Sequence, residues 1–267
     1  MRLSRLFFAF CMIAAAAVTA ASQTVPSGPF RVGAAKVDIT PTPDELPKAY
    51  LGVLDQLYAR AIVIDNGHTS AALITLDTGI IPNPLYEKIA ARVEKELGVP
   101  AANVLMTATH THSAPWGTSH RYEENVFQAV KLAKDKLQPA RMAYGTGVSY
   151  VNVQRDIIDP KTHGWWEGAN YEGLSDKTVA VIKFETLSGD PIAVYYNYAV
   201  HAVITGNLDL VSGDIPGASS RYIESALDDK AVALWSEGAA GDQNPIYFQQ
   251  TYDLRAIRIK DYAKRGI

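Results

Sequence analysis

The apolar positions of the chain change period several times, and each change marks an element. "LYARAIVID" (57–65) and "SAALITLDT" (70–78) are strand-like runs on either side of Asn66-Gly67-His68, and Asn-Gly between two apolar runs is a strong hairpin signal. Over 82–98, "PNPLYEKIAARVEKELG" shifts to a helical period. Leu85, Ile89, Val93 and Leu97 share one face, with Asn83 as the N-cap, Pro84 at the first helical position and Gly98 as the stop. "NVLMTAT" (103–109) is apolar on both faces, the pattern of a strand buried inside a sheet. The spacing of Val126, Val130 and Leu137 predicts a helix over 121–137. "TVAVIKFE" (178–185) and "PIAVYYNYAV" (191–200) flank "TLSGD" as a second hairpin, and "AVALW" (231–235) runs into a glycine-rich loop. Hairpins imply antiparallel pairs and strand–helix alternation implies parallel ones, so the expected fold is α/β with mixed β-sheets.

Composition narrows the picture. A chain of 267 residues, 48% hydrophobic, can bury a sizeable core as one large domain or two small ones. A formal net charge of −3 with no basic cluster gives no electrostatic footprint for nucleic acid. The N-terminal stretch has Arg2 and Arg5, then an apolar run, then small residues, with Val18 and Ala20 suiting the −3 and −1 positions of a signal-peptidase site. Residues 1–21 are expected to be a secretory signal and 22–267 a mature domain that is secreted or periplasmic; an uncleaved anchor is the alternative. The one cysteine, Cys11, lies inside that stretch. A metal site in the mature chain must therefore use histidine, carboxylate or phenol.

Six histidines serve the whole chain, and two of them, His110 and His112, stand one residue apart where "NVLMTAT" ends. If the strand stays extended, positions two apart face one side, and both imidazoles project into one small volume. Either one binds a metal while the other handles a proton or the substrate, or the two form a hydrogen-bonded pair that closes the strand. Thr109, Thr111 and Ser113 are short hydroxyls able to orient the rings. His201 ends a second apolar run, Asp214 caps a helix beginning near Pro216, and the loop after "AVALW" carries Asp242, Gln243 and Asn244. All three polar groups follow predicted strand ends, where α/β sheets gather ligands. Asp77 faces the same cleft or serves as a cap. His68, His120 and His163 sit in loop-like polar contexts and are not expected as ligands. Trp165 and Trp166 line an acyl-chain entrance, touch a membrane surface, or pack locally.

Taken together, these residues resemble the neutral/alkaline, non-lysosomal ceramidases. "THTHSAP" (109–115) is similar to the family's Thr-His-Thr-His-Ser-x-Pro, "AVHAVITGNLDLVSGD" (199–214) to its Ala-Val-His and Ser-Gly-Asp segments, and "GDQNP" (241–245) to its Gly-Asp-x-Ser-Pro loop. "RVGAAKVDITP" (31–41) and "VNVQRD" (151–156) also match in order. The resemblance implies β-sheets stacked centrally with helices packed outside, and a zinc-dependent amidohydrolase acting on a small-molecule or lipid amide. His110 and His201 would be the zinc ligands and His112 would stand beside the reacting amide. Arg155 would hold an oxygen of the substrate, and Asp242 and Asn244 would complete the catalytic set. No organic cofactor is implied.

Two differences from the family pattern stand out. Asn244 occupies the position where the family carries Ser, and a carboxamide cannot replace an alkoxide. It can donate a hydrogen bond to an oxyanion or orient water. The family also carries a Glu and a Tyr as zinc ligands well beyond the Gly-Asp loop, and no residue here matches them. The expectation is a fragment of a longer protein, with weak zinc affinity on its own. The last residues, "YDLRAIRIKDYAKRGI", have an amphipathic helical pattern.

Overall fold

The computed structural model describes residues 28–115 and 121–248. The expected signal segment, His120 and the amphipathic C-terminal pattern lie outside the described residues. In chain order the strands are β1 (Arg31–Asp38), β2 (Gly52–Val53), β3 (Tyr58–Asp65), β4 (Ser70–Leu76), β5 (Val104–Ala108), β6 (Gln138–Val148) and β7 (Asn152–Ile158). They continue with β8 (Trp165–Asn170), β9 (Thr178–Thr186), β10 (Pro191–Tyr198), β11 (Leu210–Val211), β12 (Val232–Glu237) and β13 (Gln243–Pro245). The helices are α1 (Asn83–Leu97), α2 (Tyr122–Asp135) and α3 (Asp214–Ala226).

Eight strands form one sheet in the order β12-β10-β9-β6-β1-β3-β4-β5. Only two residue pairs join β1 to β6, so the sheet folds over at that seam and β12 packs across β3, β4 and β5. The apolar clusters record the resulting layers. Val63, Ile74 and Leu76 pack under α1 and α2; Val32, Ile62, Phe184 and Leu234 fill the space between the two half-sheets; Val194, Tyr196 and Trp235 pack under α3. Period-2 alternation puts Ile62 and Val63 on opposite faces of one strand, each in a different cluster. The expected α/β architecture, with stacked mixed sheets inside and helices outside, is what the chain adopts. Close approach of α2 to β1 depends on Gly33, where a Cβ would collide with the Ala133 carbonyl.

The Asn66-Gly67-His68 turn joins β3 to β4 antiparallel, with Gly67 at φ 83°; the second hairpin joins β9 to β10. Gly98 ends α1 in the left-handed conformation at φ 68°. The N-cap of α1, however, is Pro82 with no side-chain bond, and Asn83 is already helical; Pro84 is fixed at a helical φ one turn position later than expected. β5 also departs from expectation. It lies at the sheet edge, paired only with β4, and Leu105 is 48% exposed. Its two-sided apolarity reflects being sandwiched between the α1/α2 layer and β12, not a central place in the sheet. Among the described residues, no helix is long and apolar enough to cross a membrane.

Candidate active site

Three histidines meet where β5 and β10 end. The ring centroids of His110, His112 and His201 are separated by 5.0, 4.7 and 5.2 Å, and their nearest ring nitrogens all lie within 4.8 Å of one another. The convergence of His110 and His112 was expected, but not the route. β5 stops at Ala108, and His110 takes a left-handed φ of 59°, so a turn rather than strand alternation brings the rings together. Hydrogen bonds from three sides hold that backbone state. Thr109 N donates to Leu76 O, His112 N to Ala202 O and Thr111 Oγ1 to Ser212 O, clamping the loop against three other segments.

The ring tautomers follow from the carbonyls that face them. His110 Nδ1 lies 2.8 Å from Gly79 O and His201 Nδ1 lies 2.9 Å from Ala240 O. A carbonyl only accepts, so both Nδ1 atoms carry the proton. That leaves two Nε2 lone pairs facing one another at 3.1 Å. Two acceptors so placed repel unless a cation lies between them. Tetrahedral zinc with Zn–N of about 2.0–2.1 Å would set its nitrogens roughly 3.3 Å apart. The donor set and its second-layer carbonyls thus fit a metal site, and the resident group would be held by His110 and His201.

Burial is the main force that pushes the His112 imidazole down to about 4, with His201, His110 and Arg155 adding to it. His201 is shifted downward in the same way, burial again leading. Neutral imidazole is the form a metal ligand requires.

Asp214 is not the expected cap: α3 begins at Asp214 itself, and its N-cap is Gly213 with no side-chain bond. Fully enclosed, the Asp214 carboxylate accepts from Thr205 N and Thr205 Oγ1, both at 2.6 Å, from Ile204 N at 3.3 Å and from Ile215 N at 2.6 Å. Ser113 Oγ in turn donates to Thr205 Oγ1. Asp214 therefore ties the segment after His201 to the segment after His112. Burial raises its pKa, opposed by those hydrogen bonds.

Glu237, at the end of β12, accepts from Trp235 Nε1 at 2.8 Å, and burial, with Asp214 nearby, pushes it up to about 8. A carboxyl raised from 4.5 in the unfolded chain favours folding fully below that value, and the contribution is lost as pH rises through about 8. Glu237→Gln is therefore expected to raise the melting temperature relative to wild type at pH 8.5 but not at pH 4, and melts at the two pH values check it.

A cavity of about 200 Å³ opens beside the histidines, lined by His112, His201, Arg155 and Glu167, with Val203 and Phe248 as apolar wall. Arg155 and Asn244 come from the small sheet β13-β7-β8. That sheet is docked on the histidines because His201 N donates to Gln243 O, and within it Arg155 N donates to Asp242 O. Asn244 is fully buried, and its Nδ2 donates to Glu167 Oε1 at 2.7 Å. The Asp242 carboxylate is exposed, accepts from Gln243 Nε2 and does not line the cavity; its backbone carbonyl is what positions Arg155.

Asp77 turns away into a buried ion pair with Arg60. His68 and His163 are exposed and remote from the cluster. Trp165 and Trp166 sit on strand β8 rather than in a packed loop and are largely exposed. Sequence reasoning missed Glu167 and the carbonyls of Gly79 and Ala240. Only the adjacency of Glu167 to the tryptophan pair drew notice to its neighbourhood.

The chain is similar to known proteins over most of its length. The neutral ceramidase of Pseudomonas aeruginosa is 28% identical to the chain, over 95% of the chain and 43% of that relative. The neutral ceramidase of Drosophila pseudoobscura pseudoobscura is 25% identical, over 82% of the chain and 36% of the relative. The crystal structure of the Pseudomonas aeruginosa neutral ceramidase superposes with a TM-score of 0.69 at 26% identity, covering 81% of this chain and 39% of that one. The chain thus spans less than half the length of these relatives. The family described as neutral/alkaline non-lysosomal ceramidase, N-terminal, matches residues 30–248. With the paired histidines, the docked Arg155 strand and this match in hand, the chain belongs to the neutral/alkaline non-lysosomal ceramidase family.

Proposed function

We propose that the chain carries the paired-histidine site of a zinc-dependent amidohydrolase that cleaves the N-acyl amide of a ceramide-like lipid, exported from the cytoplasm by its N-terminal segment. The observation that carries the reading is the pair of Nε2 lone pairs, 3.1 Å apart, on rings whose Nδ1 protons are already committed to carbonyls. Zinc held there supplies Lewis acidity to the reacting carbonyl and to water.

The chain's own groups divide the remaining work. Arg155, held by its backbone bond to Asp242 O and by Glu167 at 3.4 Å, offers its guanidinium to the oxygen that gains charge in the tetrahedral state. His112, kept neutral near pH 7, borders the amide without adding positive charge beside the metal. Asn244 holds no nucleophile and spends one N–H on Glu167, so attack by water replaces an acyl-enzyme step. A cavity of about 200 Å³ takes the amide and its polar surroundings, leaving the acyl chain to lie outside it.

The same Asn244 favours a second reading, a different amide or ester substrate on this scaffold. A panel of N-acylsphingosines with short and long acyl chains, simple N-acyl amines and acyl esters separates the two. Fatty-acid release from N-acylsphingosine, lost on chelation and restored by zinc, is the expected result. Turnover of the other amides or esters alone would sink the ceramide reading, and no turnover of any of them would sink both.

A further inference from the structure

The antiparallel pairing of β7 and β8 slips by one residue. Gln154 faces Asn170 while Asp156 faces Glu167, so Arg155 stands against two residues of its partner. A bulge of this kind bends the strand and re-aims a side chain, and such bulges gather beside active sites. Here Arg155 and Glu167 both reach the cavity wall with His112 and His201. On the other edge of β7, Asn244 faces Val153. Its Nδ2 donates to Glu167 Oε1 at 2.7 Å, and Arg155 Nη1 reaches that same oxygen at 3.4 Å. Both donors fall on one carboxylate oxygen, and Oε2 is engaged by neither. A carboxylate pinned this way keeps one fixed direction. Asn244 has a plain role in that arrangement: buried and bonded, it orients Glu167.

We propose that Glu167 is the general base of the hydrolysis, with Asn244 and Arg155 as its positioning residues. Oε2 takes a proton from water as the water oxygen bonds to the acyl carbon. As the C–N bond breaks, the same proton passes to the leaving nitrogen. One amide and one water give one carboxylic acid and one amine, and the carboxylate is regenerated. The inference rests on the amidohydrolase reading.

The test uses zinc-loaded protein and the amide substrate found for wild type, comparing Glu167→Gln, Glu167→Ala and Glu167→Asp. The Glu167 side chain is 35% exposed and Gln keeps an acceptor for Asn244, so Glu167→Gln should melt with wild type, while Glu167→Ala, which leaves the buried Asn244 Nδ2 unpaired, should melt lower but still fold. Expected are a fall in kcat of roughly 10²–10⁴-fold for Gln and Ala with KM little changed, a smaller fall for Asp, and unaltered zinc content. Added formate should restore Glu167→Ala at least in part and leave Glu167→Gln inactive. A Gln variant within threefold of wild type, loss of zinc from the variants, or a folded Ala variant that formate does not rescue would each overturn the assignment. Wild type that hydrolyses no amide overturns the functional reading itself, and this inference with it; an active wild type with an active Gln variant overturns the inference alone.

Discussion

His201→Ala is expected to abolish stoichiometric zinc binding and to lower kcat/KM for amide hydrolysis by more than the roughly 10–100-fold that loss of an outer hydrogen-bond partner costs. His201 is buried, its Nδ1 proton committed to Ala240 O, and its Nε2 faces Nε2 of His110 at 3.1 Å. Alanine removes that lone pair and leaves His110 as one nitrogen donor opposite a gap. His110→Ala should behave alike. His112→Ala should keep more of the metal, because that ring faces the cavity with Arg155 and Glu167. Metal content by plasma mass spectrometry, read beside a thermal melt, checks the set. A folded His201→Ala protein that retains one zinc would mean that the paired nitrogens are not the metal site.

The largest effect on stability is expected from Asp77→Ala, a loss of about 3–5 kcal/mol, because it leaves a buried guanidinium without its partner. Arg60 on β3 is 1% exposed and Asp77 not at all. Asp77 Oδ2 accepts from Arg60 Nη1 at 2.7 Å and from Tyr58 N at 2.8 Å. Glu224 on α3 reaches Arg60 Nε at 3.7 Å and also accepts from Lys36 and from Ala233 N. Burial works against the Arg60 charge, yet Asp77 and Glu224 outweigh it and raise its pKa. The network spans the stacked sheets and α3, so its loss is felt across layers. Denaturant titration reads the effect, and a loss under 1 kcal/mol would refute it. Replacing both partners, Arg60→Met with Asp77→Leu, should cost far less, since desolvating an unpaired charge is the expensive part.

Local physics accounts for what could be read in advance. Asn66-Gly67 needs a positive φ, Gly98 needs the left-handed region, and the apolar periods of α1 and α2 each describe one buried face. Those features depend on a few adjacent residues. The spacing of THTHSAP and the run ending at His201 were equally local and singled out three histidines, whereas the pairing of His110 with His201 and the role of Arg155 in VNVQRD came only from the family resemblance. The cap at Pro82 was misjudged because two prolines constrain the entry more than one side-chain bond attracts it. The edge place of β5 was hidden because apolarity on both faces reports contact with two layers and says nothing of strand neighbours.

By itself, then, the sequence determined the α/β class, the turns and helix stops, and the residue types of the site, because each follows from short-range periodicity, φ preference or side-chain chemistry. The tertiary structure alone decided three further things: that His110 reaches His112 through a left-handed turn, that Asp242 contributes a carbonyl while its carboxylate faces solvent, and that a bulge brings Glu167 to Asn244. Register slips and carbonyl directions depend on hydrogen-bond partners tens of residues away, and no local pattern of apolar and polar positions encodes them.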